Sequence, residues 1–332
     1  VILFEVTSYG AADITGTGGN DEMRLYGSGG TLRGGLGNDL LTGSAGNDIL
    51  YGDVGADFFS GGMGADTLYG GAGNDTFWYN FGYGADVIDG GADNDTFNAS
   101  ANSADNLLQA AWNGSALTNL FGASLSNIEA INVDMGGGVD SILYTSATGV
   151  TVNLATGAAT GFGTLLSVEN VFGGAGGDTI TGSAVNNVLE GGDGADTLSG
   201  GGGHDIIRGG AGGDAITGGL GNDSMQGGNG DDAFFWAWGD GVDTMNGGGD
   251  FDTLHGAGSA ADNVLRAVWD GTILAGALNA ALIGLEAVHV DMLGGSDTII
   301  YTTSTGVSID LGAGAATGFA SIAGIEHAIG GD

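Results

Sequence analysis

GGLGNDLLT, GSAGNDILY, GDVGADFFS, GGMGADTLY and GGAGNDTFW follow one another without a break from Gly34 to Trp78. The period is nine, and each row reads Gly-Gly-x-Gly-x-Asp-x-apolar-x. Two residues (Tyr79, Asn80) intervene before FGYGADVID and GGADNDTFN carry the series to Asn98. A second series starts at Gly173 with GGAGGDTIT and closes at His255, again with a two-residue insertion, Trp236 and Ala237. Residues 16–33 carry the same pattern in degraded form.

The residues of one row dictate its local structure. Gly at positions one, two and four permits positive φ and close backbone approach, so the first six residues make a turn. The last three place one apolar side chain between two outward ones, which suits a very short strand. Leu41, Leu50, Phe59, Leu68 and Phe77 therefore form an inward stack. A three-residue strand buries too little surface alone, so rows must stack on rows. The 74 Gly in 332 residues then mark a repeat fold rather than a disordered linker, since 42% of the chain is hydrophobic.

Composition narrows the function. Asp and Glu number 40 against 4 Arg (Arg24, Arg33, Arg208, Arg266) and no Lys, a net charge of -36. That charge excludes a nucleic-acid or phosphate-binding surface. Without Cys there is no disulfide framework and no thiolate metal site. No run of 18 apolar residues is present to span a membrane. His204, His255, His289 and His327 are scattered, with no HExxH, P-loop or Gly-x-Ser-x-Gly motif nearby. Asp39, Asp48, Asp57, Asp66 and Asp75 recur at one point of a tight coil, where like charges stacked about 4.8 Å apart, or twice that, repel. A hard cation with oxygen ligands resolves the conflict, because the turns supply carboxylates and Gly carbonyls, the preferred ligands of Ca²⁺.

The pattern resembles the RTX (repeats-in-toxin, hemolysin-type) calcium-binding nonapeptide, GGxGxDxUx. The resemblance implies an all-β chain, a parallel β-roll or right-handed β-solenoid, with Ca²⁺ held between rows n and n+2 by Asp carboxylates and backbone carbonyls. Carried over row by row, the implied carboxylate ligands are Asp21, Asp39, Asp48, Asp57, Asp66, Asp75, Asp86 and Asp95. The second block supplies Asp178, Asp196, Asp205, Asp214, Asp223, Asp232, Asp243 and Asp252. The implied carbonyl ligands are Gly34, Gly37, Gly43, Gly46, Gly52, Gly55, Gly61 and Gly64, then Gly191, Gly194, Gly200, Gly203, Gly209, Gly212, Gly218 and Gly221. Gly30 and Asn187 stand where Asp is expected, and Asp93 and Asp250 replace the fourth Gly. Nine rows per block give about 12–14 ions over the two blocks.

The whole module is duplicated. At an offset of 157, Gly70–Gly173 aligns with Gly227–Gly330 without a gap. Five segments follow. Residues 1–15 form a strand continuing a preceding module, 16–98 and 173–255 are the calcium-binding blocks, 99–172 is a β-rich inter-block segment, and 256–332 is a second such segment leading into another row. Within 99–172, Asp105–Trp112 has apolar residues at helical spacing and predicts a short helix. Strands are expected near 128–135, 141–145, 150–154 and 166–172. The aromatic cluster at the insertion (Phe77, Trp78, Tyr79, Phe81, Tyr83; Phe234, Phe235, Trp236, Trp238) is read as a packing seam, against an exposed contact patch. Glu129 and Glu286, and Glu169 and Glu326, recur at matched positions. They are read as capping or calcium-adjacent, since a glycosidase pair would need duplicated active sites.

Three function classes are weighed. The first is a calcium-dependent structural or adhesive component of a surface layer or filament. The second is the folding and secretion region of an RTX toxin or hydrolase whose catalytic domain lies elsewhere. The third is an enzyme in its own right. Whole-module duplication favours the first, because surface proteins gain reach by repetition, and no catalytic residues are assigned. Val1 and the incipient row at Gly330 read as part of a longer array. The resemblance implies type I secretion, an extracellular or cell-surface location, and folding on Ca²⁺ outside the cell. Expected partners are further copies of the chain or a cell-surface polysaccharide.

Overall fold

The computed structural model describes residues 2–3 and 13–259. Beyond them it describes 261, 264–269, 274–277, 280–283, 285, 287–301, 308–310, 314–316 and 319–329. Every regular element among the described residues is a β-strand. The chain divides into two compact units, Val1–Ser146 with Gly157–Val168, and Ala147–Thr156 with Glu169–Asp332.

In the first unit, nine residues carry the chain through half a circuit, so successive rows fall on opposite sheets. One sheet stacks Asp21–Arg24, Leu40–Thr42, Phe58–Ser60, Thr76–Asn80 and Thr96–Ser100 in parallel. The facing sheet stacks Asp13–Thr15, Thr31–Leu36, Ile49–Val54, Thr67–Ala72 and Val87–Ala92, also in parallel. The expected inward stack is therefore two facing columns. Met23, Leu41, Phe59, Phe77 and Phe97 are in register in one sheet. Leu32, Leu50, Leu68 and Ile88 are in register in the other. All are at most 1% exposed, and Phe59 and Phe77 stack at 4.7 Å between centroids. Each such side chain contributes about 1.5–3 kcal/mol of burial.

The second unit repeats the scheme. Val152, Ile180, Leu198, Ile216, Phe234, Leu254 and Val288 align in one sheet. Val171, Leu189, Ile207, Met225, Met245 and Leu282 align in the other.

The inter-block segment differs from expectation at two places. The predicted helix over Asp105–Trp112 is a strand, Leu107–Trp112. It pairs in parallel with Ser141–Tyr144 and antiparallel with Leu117–Leu120. Leu108 and Ala110 are buried while Leu107 and Gln109 are exposed, so the working period is two, not 3.6. The reason is sheet continuity. Leu117–Leu120 pairs on with Ala123–Ser126, which pairs in parallel with Val87–Ala92, so a three-strand meander is spliced into the sheet. The strand expected near 166–172 is two strands, Thr164–Leu166 and Asn170–Ala175, with Ser167 between them at φ 58°.

The aromatic cluster alternates between seam and surface, as strand geometry requires. Phe77, Tyr79, Phe234 and Trp236 are buried. Tyr79 packs on Phe97 and Phe121 and donates from its hydroxyl to the Gly84 carbonyl. Trp78, Phe235 and Trp238 are exposed. Register survives each two-residue insertion, since Phe97 still pairs with Phe77.

Candidate metal centre

The turn Asp residues lie inside the coil rather than on its surface. All sixteen predicted carboxylate positions, from Asp21 to Asp252, are at most 4% exposed. Their main chains sit at the strand entrance, where the residue that opens the strand two rows on donates to the Asp carbonyl, as Phe58 N does to Asp39 and Thr76 N does to Asp57. One carboxylate oxygen has a fixed job. Oδ1 accepts a backbone N–H from the turn before it on the same side, so Asp21, Asp39, Asp57, Asp75 and Asp95 form a ladder at 2.7–2.8 Å, and Gly30 N, Val150 N and Asn187 N donate in the same way to Asp48, Asp178 and Asp205. In the second unit the chain of donors runs Asp178, Asp196, Asp214, Asp232 to Asp252.

The other oxygen is orphaned. Oδ2 of Asp39, Asp57, Asp66, Asp75, Asp95, Asp178, Asp196, Asp205, Asp214, Asp223 and Asp232 is buried with no hydrogen-bond partner. It faces a second acceptor. A methyl group on Gly34 would collide with Oδ2 of Asp39 and stand 2.9 Å from the carbonyl oxygen of Gly52, two rows on. The same point beside Gly191 meets Oδ2 of Asp196 and, at 2.8 Å, the Gly209 carbonyl. Beside Gly200 it meets Oδ2 of Asp205 and, at 2.5 Å, the Gly218 carbonyl. A pocket of carboxylate and carbonyl oxygens with no donor is satisfied by a cation. Among the described residues no three His, Cys, Asp or Glu side chains converge on one point. An ion here would therefore take most of its ligands from carbonyls.

The structure brings together the turn Asp and the position-one Gly carbonyls of Gly34, Gly52, Gly61, Gly191, Gly209 and Gly218, while the Gly200 carbonyl meets Asn187 instead. It places the position-four glycines elsewhere. The carbonyls of Gly37, Gly46, Gly55, Gly64, Gly194, Gly203, Gly212 and Gly221 face the corresponding glycine of the next turn on the same side. Gly55, at φ 145°, is pressed against the Gly37 carbonyl so closely that only glycine fits.

The electrostatics follow from this enclosure. Burial pushes Asp66, Asp75 and Asp214 from 3.8 up to about 7. It pushes Asp57, Asp178, Asp205, Asp232 and Asp243 up to about 6. The ladder N–H opposes the rise, and carboxylates of adjacent rows add to it in most of these turns. Asp39, Asp86, Asp95, Asp196 and Asp223 are raised for the same leading reason. Two of the four arginines are engaged elsewhere: Arg208 lies 4.0 Å from Glu190, and Arg33 lies over the Tyr51 ring at 3.9 Å.

The ladder extends beyond the two repeat blocks. Asp140 and Asp297, which the nonapeptide motif missed, are fully buried and hold position six of two further rows, Met135–Leu143 and Met292–Ile300, whose GGGVDSIL and LGGSDTII keep Gly, Asp and Ile in register. Asn106 N donates to Asp140 Oδ1 at 2.7 Å, the ladder bond again. Glu129 and Glu326 also enter the ladder. Their Oε2 atoms accept from Asp95 N at 2.7 Å and Asp297 N at 2.8 Å. Glu286 lies outside the described residues.

Fold and turns together define a class: a parallel β-roll with an acceptor-lined column of turns. The chain belongs to the RTX calcium-binding nonapeptide repeat family, whose model matches residues 25–59, 51–83, 82–103, 172–207, 208–235 and 239–264, just over half of the chain. The family binds Ca²⁺, and its members typically work outside the cell. No curated protein matches the chain. No helix among the described residues is long and apolar enough to cross a membrane.

Proposed function

We propose that this chain is a calcium-folded structural section of a secreted bacterial protein, serving as an adhesive, surface-layer or filament component. The observation that carries it is the set of buried Oδ2 atoms without a donor, in a chain of net charge -36. In this reading residues 16–98 and 173–255 are the ion-binding blocks, and 99–172 and 256–332 are the spacers that repeat with them. Oδ2 of the turn Asp residues and the position-one Gly carbonyls hold the ions. Cytosolic calcium is far below the 10⁻⁴–10⁻³ M range of extracellular modules, so the chain stays open until export. The role is mechanical rather than catalytic, and the partners are further copies or a cell-surface polysaccharide. Duplication of the whole module supports this, since reach grows with copy number.

Circular dichroism of the metal-stripped chain in EGTA, then in millimolar calcium, tests the reading. A β spectrum that develops only with calcium is expected. A spectrum indifferent to calcium overturns it.

A further inference from the structure

The rows are of two kinds, and the residue at position two decides which. In most rows position two is Gly at positive φ, as at Gly35 (103°), Gly62 (97°), Gly71 (112°) and Gly192 (116°). Asp53 follows suit at φ 69°, a strained value for a residue with a Cβ. In those rows Oδ2 of the position-six Asp has no donor, as at Asp39, Asp57, Asp66 and Asp196. Thr17, Ser44 and Ser183 also occupy position two, yet they do not take positive φ.

Their turns close on themselves. Ser44 donates to Asp48 Oδ2 twice, from N at 2.5 Å and from Oγ at 3.0 Å. Thr17 does the same for Asp21 Oδ2, from N at 2.5 Å and Oγ1 at 2.9 Å. Ser183 donates to Asn187 Oδ1 from N at 2.7 Å and Oγ at 3.3 Å. The last case shows the consequence most plainly. A neutral amide replaces the carboxylate, its Nδ2 donates to the Glu169 carbonyl, and the row keeps its place in the ladder with Asp205. The position-one carbonyl two rows on is still adjacent in these rows, at Gly34, Gly61 and Gly200. Two donors have replaced the demand for a cation.

We propose that the Ser and Thr rows are calcium-independent turns, in which the position-two N–H and hydroxyl do the work that an ion does in the Gly-Gly rows. This rests on the calcium reading of the open turns. It removes Asp21 and Asp48 from the loaded ligands and makes theirs the turns that need no ion once neighbouring rows have folded.

Bound calcium per chain, measured by equilibrium dialysis and atomic emission, tests this together with the calcium midpoint of folding. Asp48→Asn should leave bound calcium unchanged, because Asn187 already shows an amide oxygen taking both position-two donors, while its midpoint should rise because Nδ2 cannot accept from Gly30 N as Asp48 Oδ1 does. Asp57→Asn should lose bound calcium and raise the midpoint. Ser44→Gly frees position two for positive φ and removes the hydroxyl, so it should gain about one ion per chain. It also keeps the test decisive if Asp57→Asn fails to fold. Equal calcium loss in Asp48→Asn and Asp57→Asn overturns the proposal while leaving the calcium reading intact. If neither Asp57→Asn nor Ser44→Gly changes bound calcium, the underlying reading falls, and this one with it.

Discussion

Acid should fold the metal-free chain, the opposite of ordinary acid denaturation. Eight buried turn carboxyls rise from 3.8 to about 6 or 7 in the fold. A group whose folded pKa lies above its unfolded value gives its full stability below the unfolded value, near 3.8. That stability is lost as pH rises through about 6–7. Each tenfold change in proton affinity is about 1.36 kcal/mol. With the outer side of each turn open to water, we take about 1–2 kcal/mol per group at pH 7.5. Eight such groups together rival the whole stability of an ordinary domain, about 5–15 kcal/mol. The stripped roll should therefore be largely unfolded at pH 7.5 and gain β structure towards pH 4.5. Far-UV circular dichroism across that range reads the transition, with sedimentation to exclude precipitation near the isoelectric point. Millimolar calcium should fold the chain at pH 7.5 and release protons as it binds. A stripped chain fully folded at pH 7.5, or one that loses β signal on acidification, would refute the reasoning.

Further outcomes follow from the same geometry. Leu68→Ala opens a void between Leu50 and Ile88 and should cost about 2–5 kcal/mol in urea unfolding at saturating calcium, while Val87→Ala on the exposed face should cost under about 0.5 kcal/mol. Glu129→Ala leaves Asp95 N without its acceptor and should cost about 1–3 kcal/mol, with Glu129→Gln recovering most of it. Gly55→Ala forces a Cβ into the Gly37 carbonyl at φ 145°, and the chain should need more calcium to reach its folding midpoint than the parent.

The repeat rows were legible because their period is also their geometry. Nine residues close half a circuit, and one apolar side chain per row then fixes both columns, from Met23 to Phe97 and from Leu32 to Ile88. The turn Asp was legible for the same reason, since a fixed position in the row is a fixed point in space. Between the blocks this reasoning weakened. Leu107, Leu108, Ala111 and Trp112 fit a helical stripe as well as a strand. Only pairing with Ser141–Tyr144 and Leu117–Leu120, which is non-local, decides between them. Asp140 hid because its row begins with Met135 and lacks the first Gly. The split between open and closed turns was invisible at the level of the motif. Ser44 looks like a tolerated substitution until its N–H and hydroxyl are seen on Asp48.

In the calcium reading, Oδ2 of each open-turn aspartate, those of the Gly-Gly rows and Asp57 alike, holds calcium together with a position-one carbonyl two rows on. Anomalous diffraction from crystals grown in calcium tests it most directly. Peaks are expected within about 2.3–2.6 Å of Asp57 Oδ2 and the Gly70 carbonyl, and of Asp196 Oδ2 and the Gly209 carbonyl. Calcium confined to exposed carboxylates such as Asp105 or Asp193, with Asp57 and Asp196 Oδ2 uncoordinated, would contradict it.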